Sequence, residues 1–159
     1  MGAIFPEKAA KLIRLFVKVA GFLLLVTAIA KLISSMGEAR ILKELDPVVH
    51  ITFKMLFMSV GLCELIIALF CILTDKIKLQ VICLAWLSTG FLLYHFAIWW
   101  IGYRKPCPCL GNLTDALHIP PQTADTAMKI ILAYLLIGSY ATLFWLWRQR
   151  KRVVPASAS

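Results

Sequence analysis

The sequence predicts an all-α integral membrane protein, a four-helix bundle, and three observations carry that prediction. First, 61% of its residues are hydrophobic and only 16% charged, whereas a soluble domain is roughly a quarter charged. Second, the apolar residues fall into four long runs, each near the ~20 residues that span a hydrocarbon core. Third, lysines, arginines and tryptophans collect at the ends of those runs, as they do at membrane interfaces. The length of 159 residues fits a single membrane domain, 1–159, with no room for a separate soluble one.

The helices are expected at about 12–33, 51–73, 79–101 and 128–147. Thr74-Asp75-Lys76-Ile77-Lys78 reads as a tight polar hairpin between the second and third. Asp46-Pro47 and Pro120-Pro121 read as turn or breaker signals before the second and fourth. The tail Pro155 to Ser159 is low in complexity. The first run has features of a secretory signal, with Lys8, Lys11 and Arg14 ahead of it and Ala28-Ile29-Ala30 resembling a cleavage site. Its apolar stretch nevertheless continues through Leu32 and Ile33, and Lys18 interrupts it, so an uncleaved helix is expected.

A net charge of +9 suggests a nucleic-acid partner only until the charges are located. They lie mainly beside apolar runs, which favours anchoring and orientation over groove recognition, so no nucleic acid is expected. One side carries Lys8, Lys11, Arg14, Lys18, Lys76, Lys78, Arg148, Arg150, Lys151 and Arg152. The other carries Lys31, Arg40, Lys43, Lys54, Arg104, Lys105 and Lys129. Ten against seven favours both termini in the cytoplasm, with the protein in the cell (inner) membrane. The segments Ser34–His50 and 102–127 then face outward. Trp99, Trp100 and Tyr103 would form an outer aromatic belt, and Trp145 and Trp147 an inner one.

Chemistry concentrates in the outer loop 102–127, which is far longer than the roughly 2 to 8 residues that usually join helices. It contains Arg104-Lys105-Pro106-Cys107-Pro108-Cys109-Leu110-Gly111-Asn112. Cysteines one residue apart can close a small, strained ring that is easily reduced or exchanged. Pro106 and Pro108 restrict the backbone around them, and Arg104 and Lys105 favour thiolate. An outward-facing pair would also meet an oxidising compartment. Thiol–disulfide exchange is the leading reading. A static loop staple and a metal site borrowing His118 remain open, although zinc sites usually space paired cysteines more widely and need four ligands. Asn112-Leu113-Thr114 matches a glycosylation sequon, which matters only in a eukaryotic secretory pathway.

Within the runs, Cys63, Cys71 and Cys83 are expected to be small hydrophobes. Glu64 is the one acidic residue in a membrane run and should face the interior, paired or protonated. Gly61, Glu64, Ala68 and Cys71 share one helical face, a small-residue stripe that permits close helix approach. His95 lies about two turns before Tyr103, so a Glu64–His95 hydrogen bond is considered. A structural contact and a proton-relay or quinone-site role both fit that pair.

These features resemble the methylamine-utilisation MauE family, within the DoxX-like set of four-helix membrane proteins. The likeness covers about residues 12 to 147. It rests on the helix order with a longer outer segment from Lys31 to Asp46, on Gly61-Leu62-Cys63-Glu64-Leu65, and on Cys107-Pro108-Cys109-Leu110-Gly111. Leu110 stands where the family often has an aromatic residue. The resemblance implies redox-associated maturation of extracytoplasmic proteins. Family members are linked to making methylamine dehydrogenase, whose small subunit carries many disulfides. It also implies Cys107 and Cys109 as the redox pair and Glu64 as a family-like acidic position. The expected partners are the lipid bilayer and an extracytoplasmic thioredoxin-like or client protein, with a quinone as candidate electron acceptor. The alternative is a non-enzymatic assembly subunit with a structural loop disulfide. A transporter has little support, since no broken-helix pair or inverted repeat is evident.

Overall fold

A computed structural model describes residues 7–37, 40–102 and 121–153. Tyr103 to Cys109, the sequon and His118 lie outside the described residues. Four helices dominate: α1 (Glu7–Met36), α2 (Phe53–Leu73), α3 (Ile77–Trp100) and α4 (Pro121–Val153), with a 3₁₀ turn at Arg40–Lys43. Each is long and apolar enough to cross a membrane, and no strand occurs among the described residues. The fold is the all-α, multi-pass membrane bundle that the composition predicts.

Helix ends differ from the apolar runs in an instructive way. The 21 residues of α2 rise ~32 Å at 1.5 Å per residue, close to the thickness of the hydrocarbon core. With 30 and 33 residues, α1 and α4 overrun that span. The apolar run marks what lipid must cover, whereas the backbone ladder continues through polar residues such as Lys11 and Arg148. Pro121 opens α4 at the first helical position, where its missing N–H would have had no partner in any case.

Burial is inverted relative to a water-soluble bundle. Leu12, Phe22, Trp86 and Ile137 lie 61–71% exposed, while Thr27, Lys31, Asp46, Glu64, Gln80, Ser88 and Ser139 are buried. So much apolar exterior suits lipid and not water. Trp99, Trp100 and Trp147 project outward, as interface anchors should.

The tightest pairings are α1 with α2 and α3 with α4. The small-residue face read from the spacing of α2 is buried: Gly61, Glu64, Ala68 and Cys71. A Cβ on Gly61 would lie 3.2 Å from Leu32, and one on Gly21 of α1 would lie 2.9 Å from the Cβ of Cys71. The second contact is between groups fixed to the backbone and cannot relax cheaply. Gly21→Leu should therefore destabilise the protein by about 1–3 kcal/mol, read as a lower unfolding temperature in detergent. Between α3 and α4, the Thr89 and Tyr140 hydroxyls hydrogen-bond at 2.8 Å. A common core joins the pairs through Val17, Ala20, Leu24, Ala68, Cys71, Val81, Leu84, Leu87 and Leu135.

The α2–α3 turn is shorter than the hairpin expected from sequence, because α3 starts at Ile77. Helix C-termini leave carbonyls without intrahelical donors. Here the buried Gln80 amide supplies them, with Nε2 lying 3.2 Å from the Cys71 carbonyl and 2.5 Å from that of Thr74. Thr74 Oγ1 donates to the Phe70 carbonyl at 2.7 Å.

Candidate functional site

Thr27 and Lys31 stand one turn apart on α1, on the face that meets α2. Opposite them is Glu64, only 1% exposed. Lys31 Nζ forms an ion pair and hydrogen bond with Glu64 Oε1. Thr27 Oγ1 lies 3.3 Å from Glu64 Oε2 and 3.1 Å from the Leu24 carbonyl. Lys31 Nζ also sits 4.8 Å from the centre of the Phe91 ring on α3, a cation–π distance. The carboxylate is thus paired, as a charge at membrane depth requires.

The partner is a correction to the sequence reading. Glu64 bonds Lys31 and Thr27, not His95; the His95 ring instead places Nδ1 3.0 Å from the Phe91 carbonyl of its own helix. Lys31 is 5% exposed and therefore belongs with the buried groups and not among the flanking charges that orient the helices. A signal for it existed. The single acid within the runs needs a countercharge, and Lys31 is preceded by Thr27 and followed by Ser34 on one helical face.

Above this pair opens a cavity of about 530 Å³ with mostly apolar walls. All four helices line it: Thr27 and Lys31; Phe57, Cys63 and Glu64; Trp86, Gly90, Phe91, Tyr94 and His95; and Ile131 and Leu135. These positions share one end of the bundle, where α1 and α3 finish and α2 and α4 begin. At this end the chain leaves α3 and later enters α4, so the segment containing Cys107 and Cys109 is attached there. Structure therefore brings Glu64 and His95 to one cavity, while Cys107 and Cys109 lie outside the described residues.

Tyr94 on the cavity wall is held by the loop before α2, which sequence reading treated only as a turn. Asp46 is fully buried, and its Oδ1 accepts from the Val48 and Val49 backbone amides at 2.8 Å. Its Oδ2 accepts from the Tyr94 hydroxyl of α3. Backbone bonds from Asp46 N to Ile51 O at 2.8 Å and Phe53 N to Glu44 O at 3.1 Å close the loop, and His50 takes a left-handed φ of 58°. Removing the carboxylate takes the acceptor from two part-buried amides and a phenol. Asp46→Ala should cost about 1.5–3 kcal/mol, measured by thermal unfolding, whereas Tyr94→Phe should cost less.

Cys63, Cys71 and Cys83 are free thiols. Cys71 packs in the core as a small hydrophobe, and Cys63 lies on the cavity wall. Among the described residues, no group of three or more His, Cys, Asp or Glu side chains could hold a metal. The arrangement suits an apolar ligand with a small polar head, since pockets of this kind pair apolar walls with a few placed polar groups.

A family model described as Methylamine utilisation protein MauE matches residues 9–151. No curated protein and no solved structure matches the chain.

Proposed function

The chain belongs to the MauE family, and from that premise we propose that it performs thiol–disulfide exchange in the maturation of extracytoplasmic proteins. Family membership supports a methylamine-utilisation-associated membrane protein; the exchange chemistry is our extension. The observation that carries it is Cys107-Pro108-Cys109, preceded by Arg104 and Lys105, in a segment attached at the cavity end of the bundle.

In the proposed reaction a thiolate of a client or thioredoxin-like protein attacks one sulfur of the Cys107–Cys109 disulfide. That S–S bond breaks, a mixed disulfide forms, and the other cysteine leaves as thiolate. The client's second thiolate then attacks the mixed disulfide. The client departs oxidised, and Cys107 and Cys109 have gained its two electrons. Arg104 and Lys105, close by in sequence, favour the thiolate leaving group.

This reading requires the pair to face outward from the cell (inner) membrane, with both termini cytoplasmic and residues 1–159 acting as one membrane domain. Removing the buried Lys31 from the outer flank changes the basic count from ten against seven to ten against six, which strengthens the proposed orientation. Labelling intact cells with a membrane-impermeant maleimide tests compartment and redox state together. We expect Cys107 and Cys109 to label only after mild reduction. Labelling only by a permeant reagent would place the pair on the wrong side and defeat the proposal.

A further inference from the structure

We propose that the cavity between the helix pairs binds a lipid-soluble quinone, a flat dicarbonyl ring on an apolar tail, which re-oxidises the Cys107–Cys109 pair. This inference rests on the exchange reading, because a pair reduced by its client needs an acceptor of two electrons. In the balanced step the two thiols lose their S–H bonds and form one S–S bond. The two electrons and two protons pass to the quinone oxygens, giving a quinol with two O–H groups.

Three features select this ligand class over a plain acyl chain, which needs only apolar walls. Aromatic side chains Phe57, Trp86, Phe91 and Tyr94 line the cavity, and flat rings pack well against such faces. Lys31 has three N–H donors, and among the described residues its hydrogen-bond acceptor is Glu64. Donors therefore remain for a quinone carbonyl. The third feature is His95. A carbonyl can only accept, so the contact with Phe91 assigns the proton to Nδ1 and leaves a lone pair on Nε2. That atom is buried without a partner among the described residues, which is costly for a polar group. A quinol hydroxyl would satisfy it.

Gly90 supplies a clean test. It lies on the cavity wall, and a Cβ there would meet nothing within 4 Å. Gly90→Phe should fill the cavity without the clash expected at Gly21, and loss of a mid-helix glycine should not weaken α3. The full-length protein in lipid nanodiscs would be titrated with ubiquinone-1, read by quenching of tryptophan fluorescence. We expect saturable binding by the wild type and by the Cys107→Ser/Cys109→Ser variant. Gly90→Phe should bind at least tenfold more weakly at an unchanged unfolding temperature, and Gly90→Ala should bind nearly as the wild type does. If quenching is unsaturable, or equal in wild type and Gly90→Phe, quinone is merely dissolved in the surrounding lipid and the site is refuted.

Stoichiometric loss of thiols from the reduced wild type, matched by quinol formation and absent from the double-serine variant, would support the electron transfer. Binding without thiol oxidation would overturn it. Exchange with a client dithiol, assayed without quinone, separates the two proposals: its persistence when quinone binding fails leaves the exchange reading intact.

Discussion

Replacing both Cys107 and Cys109 with serine should abolish function in a strain that depends on this chain, while the protein should still insert and fold. The size of the effect distinguishes the two readings of the pair. As a staple, the disulfide would close a ring of three residues, and the chain-entropy relation gives such a short loop only about 1–2 kcal/mol. An assembly subunit would tolerate that loss and retain most of its function. An exchange protein has no other route, because the sulfur that the client attacks is gone. The described cysteines offer no obvious substitute: Cys71 is buried in the core, and Cys63 and Cys83 lie within apolar helices. The check is complementation by each variant, with membrane levels and unfolding temperature measured alongside.

The second large effect falls on the buried ion pair. Lys31→Met alone or Glu64→Gln alone should destabilise the protein by about 3–5 kcal/mol, since each leaves a buried polar partner uncompensated. Combining them should restore most of the loss. A buried pair exchanged for groups of similar volume is often close to neutral, because neither charge then has to be desolvated. A double-mutant cycle on detergent-solubilised protein measures the coupling. Single losses below about 1 kcal/mol would mean that the pair is solvated, in conflict with the burial of both side chains.

Those two residues also show what was legible in the sequence. Apolar runs gave the number of helices and their approximate centres, because bilayer thickness imposes a length that composition reveals. The stripe Gly61, Glu64, Ala68 and Cys71 was legible for a similar reason: helical periodicity puts small residues on one face, and two helices then meet there. Partner choice was not. Lys31, 33 positions before Glu64, resembles a flanking charge until the crossing of α1 and α2 is known. Gln80 and Asp46 were missed for the same physical reason. Each satisfies backbone groups at a helix end or in a loop, and which groups lack partners is decided by the fold. Hydrophobic pattern likewise cannot reveal a cavity, since cavity-lining and lipid-facing side chains are equally apolar.

His95 occupies an intermediate position. Its place on α3 near Glu64's end of the bundle was readable, but the preference of its ring for the Phe91 carbonyl was not. That bond separates the two ring nitrogens and gives the cavity wall its unsatisfied acceptor.

The central claim is that Cys107 and Cys109 exchange disulfides with another protein, and trapping the intermediate tests it most directly. Cys109→Ser and Cys107→Ser would each be expressed in the native host, quenched with acid and a thiol-blocking reagent, and run on non-reducing gels. Exchange predicts that at least one single variant accumulates as a dithiothreitol-sensitive adduct with an extracytoplasmic protein, because its remaining thiolate attacks the oxidised client in the reverse of the proposed reaction and the second sulfur that would resolve that mixed disulfide is missing. The double variant should give none. If neither single variant forms an adduct and both retain function, the pair is a structural staple and the account is wrong.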